Sequence, residues 1–119
     1  MKIRLISFGY HYGIPENLDA IFDARGIKNP HNNKKLRKLT GLDKAVQDDV
    51  FSSAGIGEIL SQIALAIARS RQKGKDEVTL GIGCSFGHHR SVALVEVYKD
   101  LSRVLGNDVT TVEHRDLNK

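Results

Sequence analysis

The chain has 119 residues, 40% hydrophobic and 27% charged, with two prolines. That is enough to bury one core and excludes a disordered or low-complexity segment. A single cysteine, Cys84, excludes an internal disulfide framework, and no apolar run reaches the roughly 18 residues of a membrane span, so a cytoplasmic protein with no membrane partner is expected. A formal charge of +4 favours anionic partners but does not choose between a small phosphate ester and RNA.

Ile3, Leu5, Ile6 and Phe8-Gly9 predict a buried first strand. Ala20 to Ala24 predicts a second, followed by a long polar loop through Arg25-Gly26, Asn29-Pro30-His31 and the basic run Lys34-Lys35-Leu36-Arg37-Lys38. Long ordered loops often carry function. Asp43 is placed to cap a helix over 44–51, and Ser52 to Gly55 predicts a break. Ile56, Ile59, Leu60, Ile63, Ala64 and Ile67 recur at helical spacing, and Gly74 is a natural stop.

Val78 to Ile82 predicts a strand in the middle of a sheet, and a glycine-containing loop over 83–91 follows it directly. Val92, Val95, Leu101, Val104 and Leu105 predict a helix ended by Gly106-Asn107, before a last strand at 109–112. Helices between strands favour a single three-layer α/β domain over residues 1–119, with a small, mostly parallel sheet flanked by helices.

The loop Gly83-Cys84-Ser85-Phe86-Gly87-His88-His89-Arg90-Ser91 carries the chemistry. A strand, a turn and a helix start collect backbone N–H groups around one volume, where the helix dipole favours an anion. Gly83 and Gly87 permit close approach, Ser85 and Ser91 offer hydroxyls, Arg90 offers a phosphate fork, and His88 and His89 add donors. The bland alternative is a tight turn with a solvated arginine. Cys84-x5-Arg90-Ser91 also has the spacing of cysteine-dependent phosphatases, with Cys84 as nucleophile and Arg90 as phosphate holder. Gly83 stands where such enzymes carry a histidine, and no leaving-group acid is identifiable.

His11, Tyr12, Arg25, Asn29 and His31 follow predicted strands, the edge where open α/β sheets bind ligands. His114, Arg115 and Asp116 either complete that pocket or form a carboxyl-terminal ion cluster. Lys34, Lys35, Arg37 and Lys38 form the densest basic surface for RNA, and Arg69, Arg71, Lys73 and Lys75 a second. The histidines lack a compact metal-ligand pattern, so no metal and no cofactor are expected.

Five ordered motifs then carry a resemblance that runs almost end to end: Ser7-Phe8-Gly9-Tyr10-His11-Tyr12-Gly13-Ile14-Pro15; Phe22-Asp23-Ala24-Arg25 with Asn29-Pro30-His31; Leu39-Thr40-Gly41-Leu42-Asp43-Lys44; Gly83-Cys84 with Gly87-His88-His89-Arg90-Ser91-Val92; and His114-Arg115-Asp116-Leu117. The chain resembles the carboxyl-terminal domain of the RapZ family of bacterial RNase adapter proteins. The resemblance implies recognition of glucosamine 6-phosphate, a contribution to RNA binding, a protein partner and self-association. Ser85-Phe86 stands where that family usually has Thr-Gly, which bears on the sugar more than on the phosphate. No Walker-type glycine loop occurs in this sequence, so the family's nucleotide hydrolysis is not carried over.

Overall fold

The computed structural model describes residues 1–106 and 108–119; Asn107, expected to help end the last helix, lies outside the described residues. Four strands are described: β1 (Lys2–Gly9), β2 (Ala20–Asp23), β3 (Glu77–Cys84) and β4 (Val109–His114). They form one sheet in the order β2-β3-β1-β4, and every pairing is parallel. Three helices, α1 (Lys44–Phe51), α2 (Ile56–Gln72) and α3 (Arg90–Leu105), complete the α/β fold. None is long and apolar enough by itself to cross a membrane.

Strand alternation divides the sheet into two faces. Ile3 and Leu5 of β1 share one buried cluster with Val78, Leu80, Ile82 and Cys84 of β3. The same cluster takes Val46 and Val50 from α1, Ile63 and Ile67 from α2, and Leu94 from α3. On the opposite face Phe8 lies over Gly81 and Gly83, with Leu18 and Tyr10 against the same glycines. The layer on that side comes from the connection between β1 and β2 rather than from a helix.

Chain order accounts for this division. β1 leads to β2 in one direction along the sheet, whereas β2 leads to β3 and β3 leads to β4 in the other. Right-handed crossovers running in opposite directions lie on opposite faces. The outgoing connections of the neighbouring strands β3 and β1 therefore diverge, which opens a crevice at their carboxyl ends.

Boundary differences from the sequence expectation follow from pairing. β3 continues through Cys84 because its last residues pair with Phe8 and Gly9, so Gly83 and Cys84 belong to the strand. Arg90 is the first residue of α3. Asp43 occupies the N-cap position of α1, but its carboxylate accepts from the Thr40 N–H at 2.8 Å and makes no side-chain bond to the helix.

Candidate anion-binding site

The loop between β3 and α3 is pressed against the end of β1. The Gly87 φ is +77°, and a Cβ there would lie 2.7 Å from the Gly9 nitrogen. A Cβ on Gly9 would in turn lie 2.3 Å from the Phe86 carbonyl carbon. Two glycines thus let two backbones touch, and the His11 N–H donates to the Ser85 carbonyl at 3.0 Å to continue the seam.

Behind the loop, Cys84 is 3% exposed, and its sulfur accepts from the Ser91 N–H at 3.4 Å with the Ser91 hydroxyl 3.1 Å away. His89 is the N-cap of α3 and makes no side-chain capping bond. Among the described residues no carboxylate or hydroxyl caps the start of α3, whose dipole the Cys84 sulfur meets at the Ser91 N–H.

A cavity of about 300 Å³ opens here, lined by Asn29, His31, Cys84, Ser85, Phe86, His88, His89 and Arg90. Arg90 is only 6% exposed. One terminal nitrogen, Nη1, donates to the carbonyls of Arg25 and Ile27 at 2.8 and 3.4 Å, and Nη2 donates to Ser85 Oγ at 3.2 Å. All three acceptors are neutral, and no ion pair to Arg90 occurs among the described residues. Arg90 is therefore both a clasp that holds the 24–27 segment to the loop and a buried cation in direct contact with no carboxylate, although its charge helps to lower the pKa of Asp23, which Arg25 holds.

The histidines add to this polarity. The Nε2 atoms of His88 and His89 are buried without a hydrogen-bond partner. Burial pushes His89 below the ordinary imidazole value, outweighing the backbone carbonyls of Leu39 and Arg37 that favour its charged form. The His31 and His89 rings lie 6.2 Å apart. No group of three or more potential metal ligands occurs among the described residues.

The expected site residues separate into three sets. His31, Cys84, Ser85, His88, His89 and Arg90 share the cavity wall, while Gly83, Gly87 and Ser91 shape it from behind. Arg25 and His11 stand outside the wall. Arg25 is held by Asp23 at 2.8 Å and lies 3.9 Å over the Tyr10 ring, contributing its carbonyl to Arg90. His11 packs on Phe86 and Tyr12, each at 5.0 Å between ring centroids. Lys34, Lys35, Arg37 and Lys38 are all exposed beyond His31, whose carbonyl accepts from Arg37 Nε at 3.0 Å.

Of the two readings of the carboxyl terminus, the ion cluster describes the geometry. Asp116 is fully buried, accepts from the Gly9 N–H at 2.8 Å and pairs with Arg115 and Lys119 at 2.8 Å each. A neighbouring chain of polar groups was not foreseen. Ser7 Oγ lies 2.7 Å from His114 Nδ1, and His114 Nε2 lies 3.5 Å from Glu96. No local signal in the sequence pairs residues so far apart.

The chain is an open, all-parallel α/β sheet with a polar cleft at the carboxyl ends of its central strands, the place where open sheets of this kind take ligands. The family model described as RapZ C-terminal domain matches residues 1–118, and the chain belongs to that family. It is 43% identical to a nucleotide-binding protein of Corynebacterium efficiens over 98% of its own length and 38% of that relative. It is also 43% identical to one of Thermodesulfovibrio yellowstonii, over 98% of this chain and 42% of the relative. A third, from Oceanobacillus iheyensis, is 38% identical over 99% of this chain and 41% of its own length. The chain thus spans about two fifths of the curated relatives it matches.

Proposed function

We propose that this chain binds a phosphorylated small molecule in the cavity between the 29–31 turn and the start of α3. The observation that carries the reading is Arg90, 6% exposed and hydrogen-bonded only to neutral acceptors. A buried charge is costly unless paired, and an anion supplied from solution provides the missing partner. The start of α3, where the His89 side chain makes no cap and the Cys84 sulfur accepts from the Ser91 N–H, adds favourable potential at the same place. The resemblance supplies glucosamine 6-phosphate as the first ester to test; the geometry speaks for the phosphate and not for its ring.

Calorimetric titration of the purified chain with inorganic phosphate and sugar phosphates tests this. Saturable binding is expected, weakened in Ser85→Ala and His31→Ala, which leave the Arg90 contacts to Arg25 and Ile27 in place. Absence of saturable binding by every phosphate compound overturns the proposal. Catalysis is a separate outcome. Cys84 lines the cavity, and phosphate release that disappears in Cys84→Ser would turn a binding site into a phosphatase.

The resemblance also carries an adapter role toward RNA and protein, with self-association. The exposed run Lys34, Lys35, Arg37 and Lys38 beside the cavity is the surface that supports the RNA part of that reading.

A further inference from the structure

β2 is an edge strand. It pairs with β3 through Ala20–Asp23, and among the described residues no strand pairs with its outer side. Such an edge offers backbone donors and acceptors to another chain, and proteins usually blunt it with proline or with charges on the strand. β2 carries no proline, and its one charged side chain, Asp23, is held by Arg25.

Strand alternation gives the two sides of this edge different characters. Ala20 and Phe22 pack on the main apolar cluster beneath the helices. Ile21 turns to the other face and is 43% exposed. On the helix side, a groove of about 210 Å³ lies between the start of β2 and the end of α2. Its floor is apolar, from Ala20, Ala66, Val78 and Leu80, and its rim carries Arg69, Lys73 and Lys75. The carboxylate in the groove, Asp19, accepts from Lys75 Nζ at 2.8 Å and from the Thr79 N–H at 2.7 Å. Within the basic segment 69–75, Arg71 pairs with Asp108 and Lys75 with Asp19. Arg69 and Lys73 are exposed, one helical turn apart, and meet no carboxylate among the described residues. The carbonyl end of α2 favours positive charge by itself. Its dipole gives no reason for an apolar floor and an open strand beside that charge.

We propose that the β2 edge docks an extended segment of a partner protein in which acidic and apolar residues alternate. A strand added beside β2 turns its carboxylates toward Arg69 and Lys73 on the helix side and its apolar side chains toward Ile21 on the other. An RNA backbone would meet the two cations but would leave the strand edge and Ile21 unused, so a peptide fits more of this surface. The inference goes beyond the phosphate site, whose cavity shares no lining residue with this groove.

Nuclear magnetic resonance titration of the isotope-labelled chain with a capped hexapeptide of alternating valine and glutamate tests this. Saturable shifts at the backbone amides of residues 20–23 are expected. Combining Arg69→Glu with Lys73→Glu should weaken binding about fivefold or more, the scale of losing two exposed ion pairs. Both positions are exposed, and the same spectra show whether the variant keeps its fold. A peptide with proline in place of its middle valine keeps the charge but pairs poorly as a strand, and should bind more weakly. No saturable binding, unchanged affinity in the double variant, or shifts that leave 20–23 untouched overturns the proposal. Equal binding of the proline peptide, or equal or tighter binding of an oligouridylate, would reveal a patch of charge in place of a strand dock and overturn it as well.

Discussion

A buried carboxylate at Asp116 does for the ligand edge what a disulfide does in other small proteins: it ties residues at opposite ends of the chain. Burial alone raises its pKa, but the bonds from Arg115, the Gly9 N–H and Lys119 outweigh that and hold it at about 2. A carboxylate whose folded pKa lies below the unfolded value of roughly 3.9 contributes its full stabilisation above that value. The contribution is lost as pH falls through about 2. Asp116→Asn keeps the shape and one acceptor but removes the charge that Arg115 and Lys119 face. It should cost about 1–3 kcal/mol near neutrality and abolish that part of the acid dependence. Urea denaturation of both proteins across pH 2 to 7 checks this; parallel curves would show that the cluster adds nothing to folding.

Elements were legible in proportion to how locally they are determined. The apolar spacing of Ile56, Ile63 and Ile67 marks α2, and all three are buried. The 44–51 helix is likewise set by its own residues. β3 was read two residues short at its carboxyl end, because Gly83 and Cys84 become strand only through pairing with Phe8 and Gly9. The short 3₁₀ turns Tyr10–Tyr12 and Pro30–Asn32 were not read at all, having too few residues for a period. The second of these places Asn29 and His31 in the cavity and presents the basic run beyond it. If that run meets RNA, charge reversal at Lys34, Lys35 and Lys38 should weaken a short oligonucleotide and flatten the dependence of affinity on salt. Single-strand binding loses roughly 0.7 in logarithmic slope for each phosphate contact removed. Fluorescence anisotropy at several salt concentrations measures it, and an unchanged slope would remove this turn from any RNA interface.

At the scale of the whole molecule, the candidate site was visible as a run of residue types over 83–91, but the state of those residues was not. Arg90 was read as a free fork, and only the folded chain shows it clasping carbonyls more than sixty residues away. His89 and His114 share that dependence on the fold, and both have pKa values lowered chiefly by burial. For His114, Glu96 acts in the opposite direction without prevailing. A histidine held neutral in the fold binds its proton more readily when unfolded, so stability rises with pH through its titration. Both contributions are complete above the unfolded value of about 6.5 and decline as pH falls below it. The chain should therefore lose stability as pH falls below about 6.5, before Asp116 titrates. His114→Gln should flatten part of that slope without changing the phosphate response, because His114 lies outside the cavity wall. His89 is different, since a bound phosphate beside it favours the charged imidazole. A saturating phosphate ester should then move the acid loss of stability to lower pH in wild type and in His114→Gln alike. Thermal unfolding over this range, with and without ligand, separates the two histidines; a ligand effect that vanishes in His114→Gln would place the anion beside His114 rather than beside Arg90.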